Sequence, residues 1–262
     1  MIRVTHSGLT NLINYQLSNF SSRMRVVEEQ AVSGQKINRP SDDPAATSEV
    51  HRLYGAIEDQ NIYQQNATQA QSMLDLVDNA LSGVSDALMR IRELAVNMSS
   101  DTVTANERSN AATEVSQLYS QLLDLANSDV NGRYLFAGTT YNAAPFTAAG
   151  VYQGDNNIPA TQVGSNQWVT NGYDGSQVFQ GNIDVFNVLN TFIAALQTNN
   201  VVAIQNTISN IDTAQIQNSQ WRADAGASFN EADDALNVAE GMGQLYNQRL
   251  DEVARVVVKG YR

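Results

Sequence analysis

The side chains that could carry out chemistry in this sequence are few and far apart. His6 and His51 are the two histidines, and neither lies in a metal-ligand spacing such as H-E-x-x-H. The absence of cysteine excludes thiol catalysis, thiolate metal sites and disulfides. No G-x-S-x-G pattern occurs either, and with two histidines the sequence gives no indication of a Ser–His–Asp triad. We therefore expect no catalytic residues and predict that each histidine lies at a surface or an interface.

Asp42 and Asp43 form a carboxylate pair that could suggest a metal site. They lie directly before Pro44, and a carboxylate followed by proline is typical of a helix N-terminus. No glycine-rich phosphate-binding pattern occurs between Gly138 and Gly154. The sequence thus predicts no metal and no cofactor, and it predicts an inter-helix turn made of Arg39, Pro40, Ser41, Asp42, Asp43 and Pro44.

The composition of the sequence argues against nucleic acid and membranes as partners. The 262 residues carry a net charge of −12, which argues against non-specific binding of nucleic acid. No apolar run approaches the roughly 18 residues that a membrane span needs, so no membrane is expected as a partner. Residues 1–15 contain no apolar segment behind a basic start, and we expect no cleaved signal peptide. Charged residues are only 16%, below the roughly 25% that is usual, which suits a protein that packs against copies of itself.

The first candidate helix has an apolar stripe spaced three and four residues apart. Gly34 ends it, just after Ser33. Two interpretations stay open for the stripe: a core within the chain, or an intermolecular surface. For the second, the assembly interface would comprise Leu9, Ile13, Leu17, Phe20, Met24 and Val27.

Longer apolar stripes follow, and they predict a helical bundle. A second helix restarts at Pro44 and, if it continues to Met98, is about 80 Å long. The sequence from Thr104 to Glu107 forms a capping box that opens a third helix. Shorter and longer helical patterns occupy residues 186–196 and 204–257. The predicted bundle core includes Leu74, Val77, Leu81, Val84, Leu88, Ile91, Leu118, Leu122, Leu236 and Leu250.

The middle of the chain has a different composition. No Lys or Arg occurs between Arg133 and Arg222, and glycine and aromatic residues concentrate in 131–182. We predict an inserted antiparallel β domain over 132–182, with short strands at 133–138, 151–154, 168–170 and 178–181 and a left-handed cap at Asn131-Gly132. The expected division is an arm (1–43), a bundle (44–131 with 183–262) and this insert, which we expect to be separable.

Three segments together resemble the flagellin family. The sequence AVSGQKINRPSDDP, from Ala31 to Pro44, resembles the link between the family's first two helices, and its last residues resemble the hook-associated protein 3 branch. MRIRELAV, from Met89 to Val96, is similar to the family's signature in the long second helix. NGRYLFAG, from Asn131 to Gly138, resembles the branch's entry into its β domain.

The resemblance implies a mainly α fold, a long antiparallel helical bundle or coiled coil with a small inserted antiparallel β domain. It implies a non-enzymatic structural subunit of the bacterial flagellum at the junction between hook and filament. Implied partners are copies of the chain in a ring, a neighbouring hook-associated protein and flagellin. Export without a cleaved signal peptide would place it outside the cell, after escort by a chaperone that binds the C-terminal helix.

Two alternatives stay open at the level of sequence. Filament flagellin shares most of these segments, and a non-flagellar coiled-coil or phage-tail protein would share the stripes alone. Family members usually continue beyond the bundle helix with an amphipathic segment that pairs with the first helix. The sequence ends at Arg262, near the end of that bundle helix, so the pairing and the export chaperone are expected only if such a segment is present.

Overall fold

The computed structural model describes residues 6–255, and the predicted mainly α fold is confirmed. Within that range the chain forms six helices: α1 (His6–Ser33), α2 (Pro44–Met98), α3 (Ala105–Ala126), α4 (Gly175–Gln180), α5 (Val185–Gln197) and α6 (Val201–Ala254). Four short strands form two two-stranded antiparallel sheets: β1 (Asp129–Val130) with β2 (Arg133–Tyr134), and β3 (Ala160–Gln162) with β4 (Trp168–Thr170).

Local signals define the helix boundaries that the sequence predicts. Asp43 Oδ1 accepts the backbone N–H of Ala46 at 2.9 Å, and Pro44 is the first residue of α2. At the start of α3, Thr104 and Glu107 form the predicted capping box. The hydrogen bonds from Thr104 hold the pKa of Glu107 below its usual range. The predicted continuous helix from Pro44 to Met98 is confirmed.

The described chain separates into two compact units. One contains the residues up to Ile62 and those from Ala239 onward, and the other runs from Tyr63 to Val238. These boundaries fall inside α2 and α6 and differ from the expected division at residues 43 and 131. The reason is packing within the second unit, where the inserted region and the helices share one hydrophobic core.

The core of the unit Tyr63–Val238 is built on the apolar stripe of α2. Its members on that helix are spaced three and four residues apart, so they lie on one face. Buried residues of α3, α5 and α6 complete the core, including Val115, Leu189 and Ile204. Surface ion pairs also join the helices, such as Arg92 Nε with Asp212 Oδ1 at 2.5 Å.

The inserted region contains less strand than predicted. Of the four predicted strands, residues 168–170 form β4, and its partner β3 was not predicted. The segment 133–138 contributes β2 and an isolated bridge from Ala137 to Asp174. In the segment 151–154, Tyr152 makes an isolated bridge to Phe146. The prediction for 178–181 was wrong because residues 175–180 form α4, where the side chain of Asp174 accepts the N–H of Ser176 and caps the helix.

The turn at Asn131-Gly132 also differs from its prediction. α3 ends at Ala126, so these two residues do not cap it. They form the two-residue loop between β1 and β2, with φ values of 54° and 79°. Positive φ at both positions is the requirement of a type I′ hairpin turn, for which Asn-Gly is the favoured pair.

An aromatic cluster attaches the inserted region to the helices. Phe146 and Phe179 come from the insert and contact Phe186 of α5, with ring centroids 5.1 and 5.8 Å away. Tyr119 of α3 packs on the same Phe186 ring at 5.7 Å. Gly150 approaches Phe186 so closely that a Cβ added to the glycine would lie 2.5 Å from the Cβ atom of Phe186. The insert is therefore part of the helical core and not a separate layer.

Arg108 is a buried polar residue that the sequence analysis missed. Its side chain donates to Met98 O at 3.0 Å, Ser100 O at 2.7 Å and Asn199 Oδ1 at 2.5 Å. Met98 ends α2, Ser100 follows it, and Asn199 lies between α5 and α6. One guanidinium therefore binds the α2–α3 and α5–α6 connections to the start of α3. Its signal in the sequence was weak, because an arginine in the first turn of a helix is usually exposed.

Candidate assembly surface

The candidate assembly surface is the apolar side of α1. The helix forms over His6–Ser33, as the spacing predicts, and ends where Gly34 adopts φ +68°. The N–H of Gly34 donates to Gln30 O at 2.9 Å, which closes the last turn. Gly34 has this left-handed conformation at low cost because it lacks a Cβ atom.

The six residues of the predicted interface are all exposed in the chain. Their exposed fractions lie between 48% for Leu9 and 64% for Leu17. Other apolar residues of α1 are exposed as well, namely Leu12, Tyr15, Val26 and Val32. The apolar surface is thus wider than the predicted stripe, and the interpretation as a core within the chain is not what the described residues show.

The turn between α1 and α2 is organised by its two aspartates. Asp42 Oδ2 accepts the backbone N–H groups of Asn38 at 3.2 Å and Arg39 at 2.9 Å. The side chain of Arg39 reaches back to Glu29 of α1, with a distance of 3.2 Å to Oε1. Asp43 caps α2. Asp42 therefore binds backbone N–H groups of the turn, and Asp43 caps α2. Pro40 and Ser41 are exposed.

The same turn contacts the end of α6. The N–H of Lys36 donates to Ala254 O at 2.7 Å, and Gln35 forms an antiparallel bridge with Arg255. A small cleft of about 210 Å³ lies beside these contacts, lined by residues that include Pro40, His51 and Ala254. His51 is exposed, whereas the side chain of His6 lies outside the described part of the chain, as do residues 256–262.

The predicted bundle core divides into three groups. Seven of its members are fully buried: Leu74, Val77, Leu81, Val84, Leu88, Ile91 and Leu122. Leu118 and Leu236 are partly buried and pack against the core cluster. Leu250 is a correction to the prediction: it is half-buried, lies in the other compact unit and is outside that cluster. Its helix continues past residue 238 into a unit with few buried side chains.

The ion pairs near the turn between α1 and α2 join residues that are close in sequence. On the first turns of α2, Arg52 and Glu49 form an ion pair at 2.6 Å, and the hydrogen bond from Arg52 lowers the pKa of Glu49. In residues 6–255, no three His, Asp or Glu side chains are grouped closely enough to hold a metal ion. Over the same range, no helix is sufficiently long and apolar to cross a membrane.

The chain is similar to proteins of the bacterial flagellum. Residues 4–141 match the family described as the bacterial flagellin N-terminal helical region. The flagellar hook-associated protein 3 of Salmonella typhimurium is 30% identical over 263 residues, which span 87% of this chain and 81% of that protein. A flagellin of Clostridium tyrobutyricum is 32% identical over 137 residues, 52% of this chain and 35% of the flagellin.

A solved structure has the same fold. A flagellar hook-associated protein from Vibrio parahaemolyticus superposes with a TM-score of 0.75 and 19% identity, covering 82% of this chain and all of that one. The family match covers more than half of the present chain, and the Salmonella relative is matched over most of both lengths. The chain therefore belongs to the flagellin family, in the branch of the flagellar hook-associated protein 3.

Proposed function

We propose that this chain is a structural subunit of the bacterial flagellum, one ring of which joins the hook to the filament. The observation that carries the proposal is the extent of similarity. The match to a hook-associated protein 3 spans 87% of the chain at 30% identity, whereas the match to the flagellin spans 52%. A filament core protein of Treponema maltophilum is matched over 77% of the chain, but at 25% identity. The 32% identity of the shorter match keeps filament flagellin as the second candidate.

The exposed face of α1 supports assembly as the activity of the protein. Burying apolar surface from several such helices against one another releases water from each, which favours association. We propose that Leu9, Ile13, Leu17, Phe20, Met24 and Val27 contact neighbouring subunits: copies of the chain in the ring, and the adjacent hook-associated protein and flagellin. The subunit would be extracellular and exported without a cleaved signal peptide. An export chaperone on its C-terminal helix is part of the proposal only if the family's amphipathic C-terminal segment is present.

Deletion of the gene and immunogold electron microscopy test the proposed location. We expect cells that lack the protein to carry hooks without filaments. In cells that express it, antibody label should be confined to the boundary between hook and filament. Label along the whole filament would instead identify the chain as a flagellin.

Seeded polymerisation of the purified protein separates the two candidates independently. A flagellin should extend into long filaments when short filament fragments are added. We expect this chain to form no long homopolymer, because a junction subunit must stop after a ring. Filaments made of this protein alone would contradict the proposed function.

A further inference from the structure

A cleft lined by carboxamide side chains and one tryptophan in the unit Tyr63–Val238 is not explained by assembly through α1. It lies between the C-terminal end of α4 and one face of α6, and has a volume of about 350 Å³. The residues from α6 are Gln217, Gln220, Trp221 and Asp224, whose spacing of three and four places them on one side of the helix. Gln177 and Asn182 line the opposite wall.

The floor of the cleft is rigid. Gln217 is buried, and its amide oxygen accepts the N–H of Ile183 at 2.9 Å. The amide nitrogen donates to Val178 O at 2.8 Å and to Ile183 O at 3.2 Å. The carboxamide of Gln217 thus holds Val178 of α4 and Ile183, which follows that helix, against α6. The cleft is therefore preformed.

Trp221 and Asp224 are also held in place from below. The indole N–H of Trp221 donates to Gln177 O at 3.2 Å, and its ring packs edge to face on Tyr173 with centroids 5.6 Å apart. The hydroxyl of Tyr173 in turn donates to Asp224 Oδ2 at 2.9 Å. The half-buried indole therefore lines the cleft in a fixed orientation, and Asp224 keeps its second oxygen for a ligand.

Three exposed carboxamides complete the site. The side chains of Gln177, Asn182 and Gln220 have no hydrogen-bond partner within residues 6–255. Each supplies two N–H donors and a carbonyl acceptor. Among the residues that line the cleft there is no Lys, Arg or His, and Asp224 is the one charged group. A ligand with neighbouring hydroxyl groups and no negative charge matches this set.

We propose that the cleft binds a neutral hexopyranose unit of a glycan. The apolar face of a pyranose ring, with its C–H groups, fits against the electron-rich indole of Trp221. Paired hydroxyl groups can donate to Asp224 and exchange hydrogen bonds with the carboxamides. An acidic or phosphorylated sugar is disfavoured, because its charge would lie beside Asp224 with no cation to compensate it.

Ligand-detected NMR and tryptophan fluorescence test the site in the full chain. The probes are D-glucose, D-galactose, D-mannose and N-acetyl-D-glucosamine, with D-glucuronic acid as the charged comparison. The Trp168→Phe variant leaves Trp221 as the single tryptophan, so its fluorescence reports the cleft alone. We expect saturable binding of at least one neutral sugar and weaker binding of the acid.

Matched variants locate the binding. Trp221→Ala should weaken the affinity about tenfold, the size of one aromatic contact. Trp168→Ala removes a 59% exposed tryptophan of β4 outside the cleft and should leave the affinity unchanged. Because Trp221→Ala could impair folding, the double variant Asn182→Ala/Gln220→Ala, which removes two exposed and unbonded side chains, should also weaken binding several-fold.

Three results would overturn the proposal. The first is the absence of saturable binding of any neutral sugar to the folded chain. The second is that the cleft variants bind as tightly as the parent chain, and the third is a preference for glucuronic acid. Sedimentation equilibrium adds a fourth: if Trp221→Ala abolishes association of copies and sugars do not compete, the cleft is a protein contact. A glycan array with bacterial polysaccharides and mucin-type chains then separates the sources of the hexose.

Discussion

Leu88 lies in the middle of the buried stripe of α2 and has no exposed surface. Leu88→Ala should lower the free energy of unfolding by about 2–5 kcal/mol, because it removes packed methyl groups and leaves a cavity. Met89 on the next position is 53% exposed, and Met89→Ala should change stability by less than about 0.5 kcal/mol. Urea unfolding of both variants checks the pair. Equal midpoints would show that this face of α2 is not core.

Arg108 is 3% exposed and bonds two carbonyl oxygens and one amide oxygen. Arg108→Ala should destabilise the chain by about 3 kcal/mol, because it removes three hydrogen bonds donated by one buried charged group. Arg108→Lys should recover only part of that loss, since one ammonium cannot match a planar fork. Arg249→Ala breaks an exposed pair with Glu252 and is the control, expected to cost less than about 1 kcal/mol. Thermal unfolding compares all three variants.

Asp155 makes stability depend on pH in a defined direction. Its carboxylate accepts the hydroxyl and the backbone N–H of Thr139, together with bonds from Asn157 and Thr140. These hydrogen bonds lower the pKa of Asp155 in the folded chain below the unfolded value of about 3.9. Its contribution is therefore complete above that unfolded pKa and is lost as the pH falls towards the folded pKa.

The test compares Asp155→Asn with the parent chain by urea unfolding at neutral and at strongly acidic pH. The variant should be less stable at neutral pH, and the difference should shrink as acid protonates the parent carboxylate. Asp59→Asn, at an exposed position of α2, should show a much smaller pH-dependent difference. A deficit in Asp155→Asn that is independent of pH would indicate a steric cause.

At the scale of elements, α1 contrasts with α2. Both are continuous helices, but the large apolar residues of α1 are exposed and those on the central stripe of α2 are buried. A helix without tertiary packing is only marginally stable in water. We therefore expect the amides of 9–31 to exchange hydrogen much faster than those of 74–98 in the dilute monomer, measured by mass spectrometry.

Deleting residues 1–40 tests the same element in assembly. If α1 acts between subunits, the melting temperature of the shortened chain should stay nearly unchanged while incorporation at the hook tip is lost. Protection of α1 equal to that of α2, or a large fall in the melting temperature, would mean that α1 is packed within the chain.

At the scale of the whole molecule, the inserted region belongs to the larger unit. Replacing 133–182 by a Gly/Ser linker removes Phe146 and Phe179 and uncovers Phe186 of α5. We now expect a loss of thermal stability and of cooperative unfolding, in contrast to the separable insert that composition suggested. Replacing only the exposed residues 141–144 should be tolerated. Unchanged unfolding after the full replacement would restore the separable-domain hypothesis.

The sequence by itself determined the features that depend on neighbouring residues. The helical period of α1 and α2, the capping box at Thr104 and the proline start at Pro44 are local, because each is satisfied by atoms within a few residues. The family resemblance rested on contiguous segments for the same reason. The exposed stripe of α1 was recognised as a helix face, but the sequence left its partner open.

Tertiary structure decided what depends on residues far apart in the chain. Residues 175–180 contain a Val-Phe pair that favours a strand, yet Asp174 caps a helix there, and that pair is buried in the core. The unit boundary at 62 and the position of Leu250 outside the core have no local signal at all. Burial is a sum over contacts from several elements, so the same stripe is core or surface according to which side chains lie opposite it.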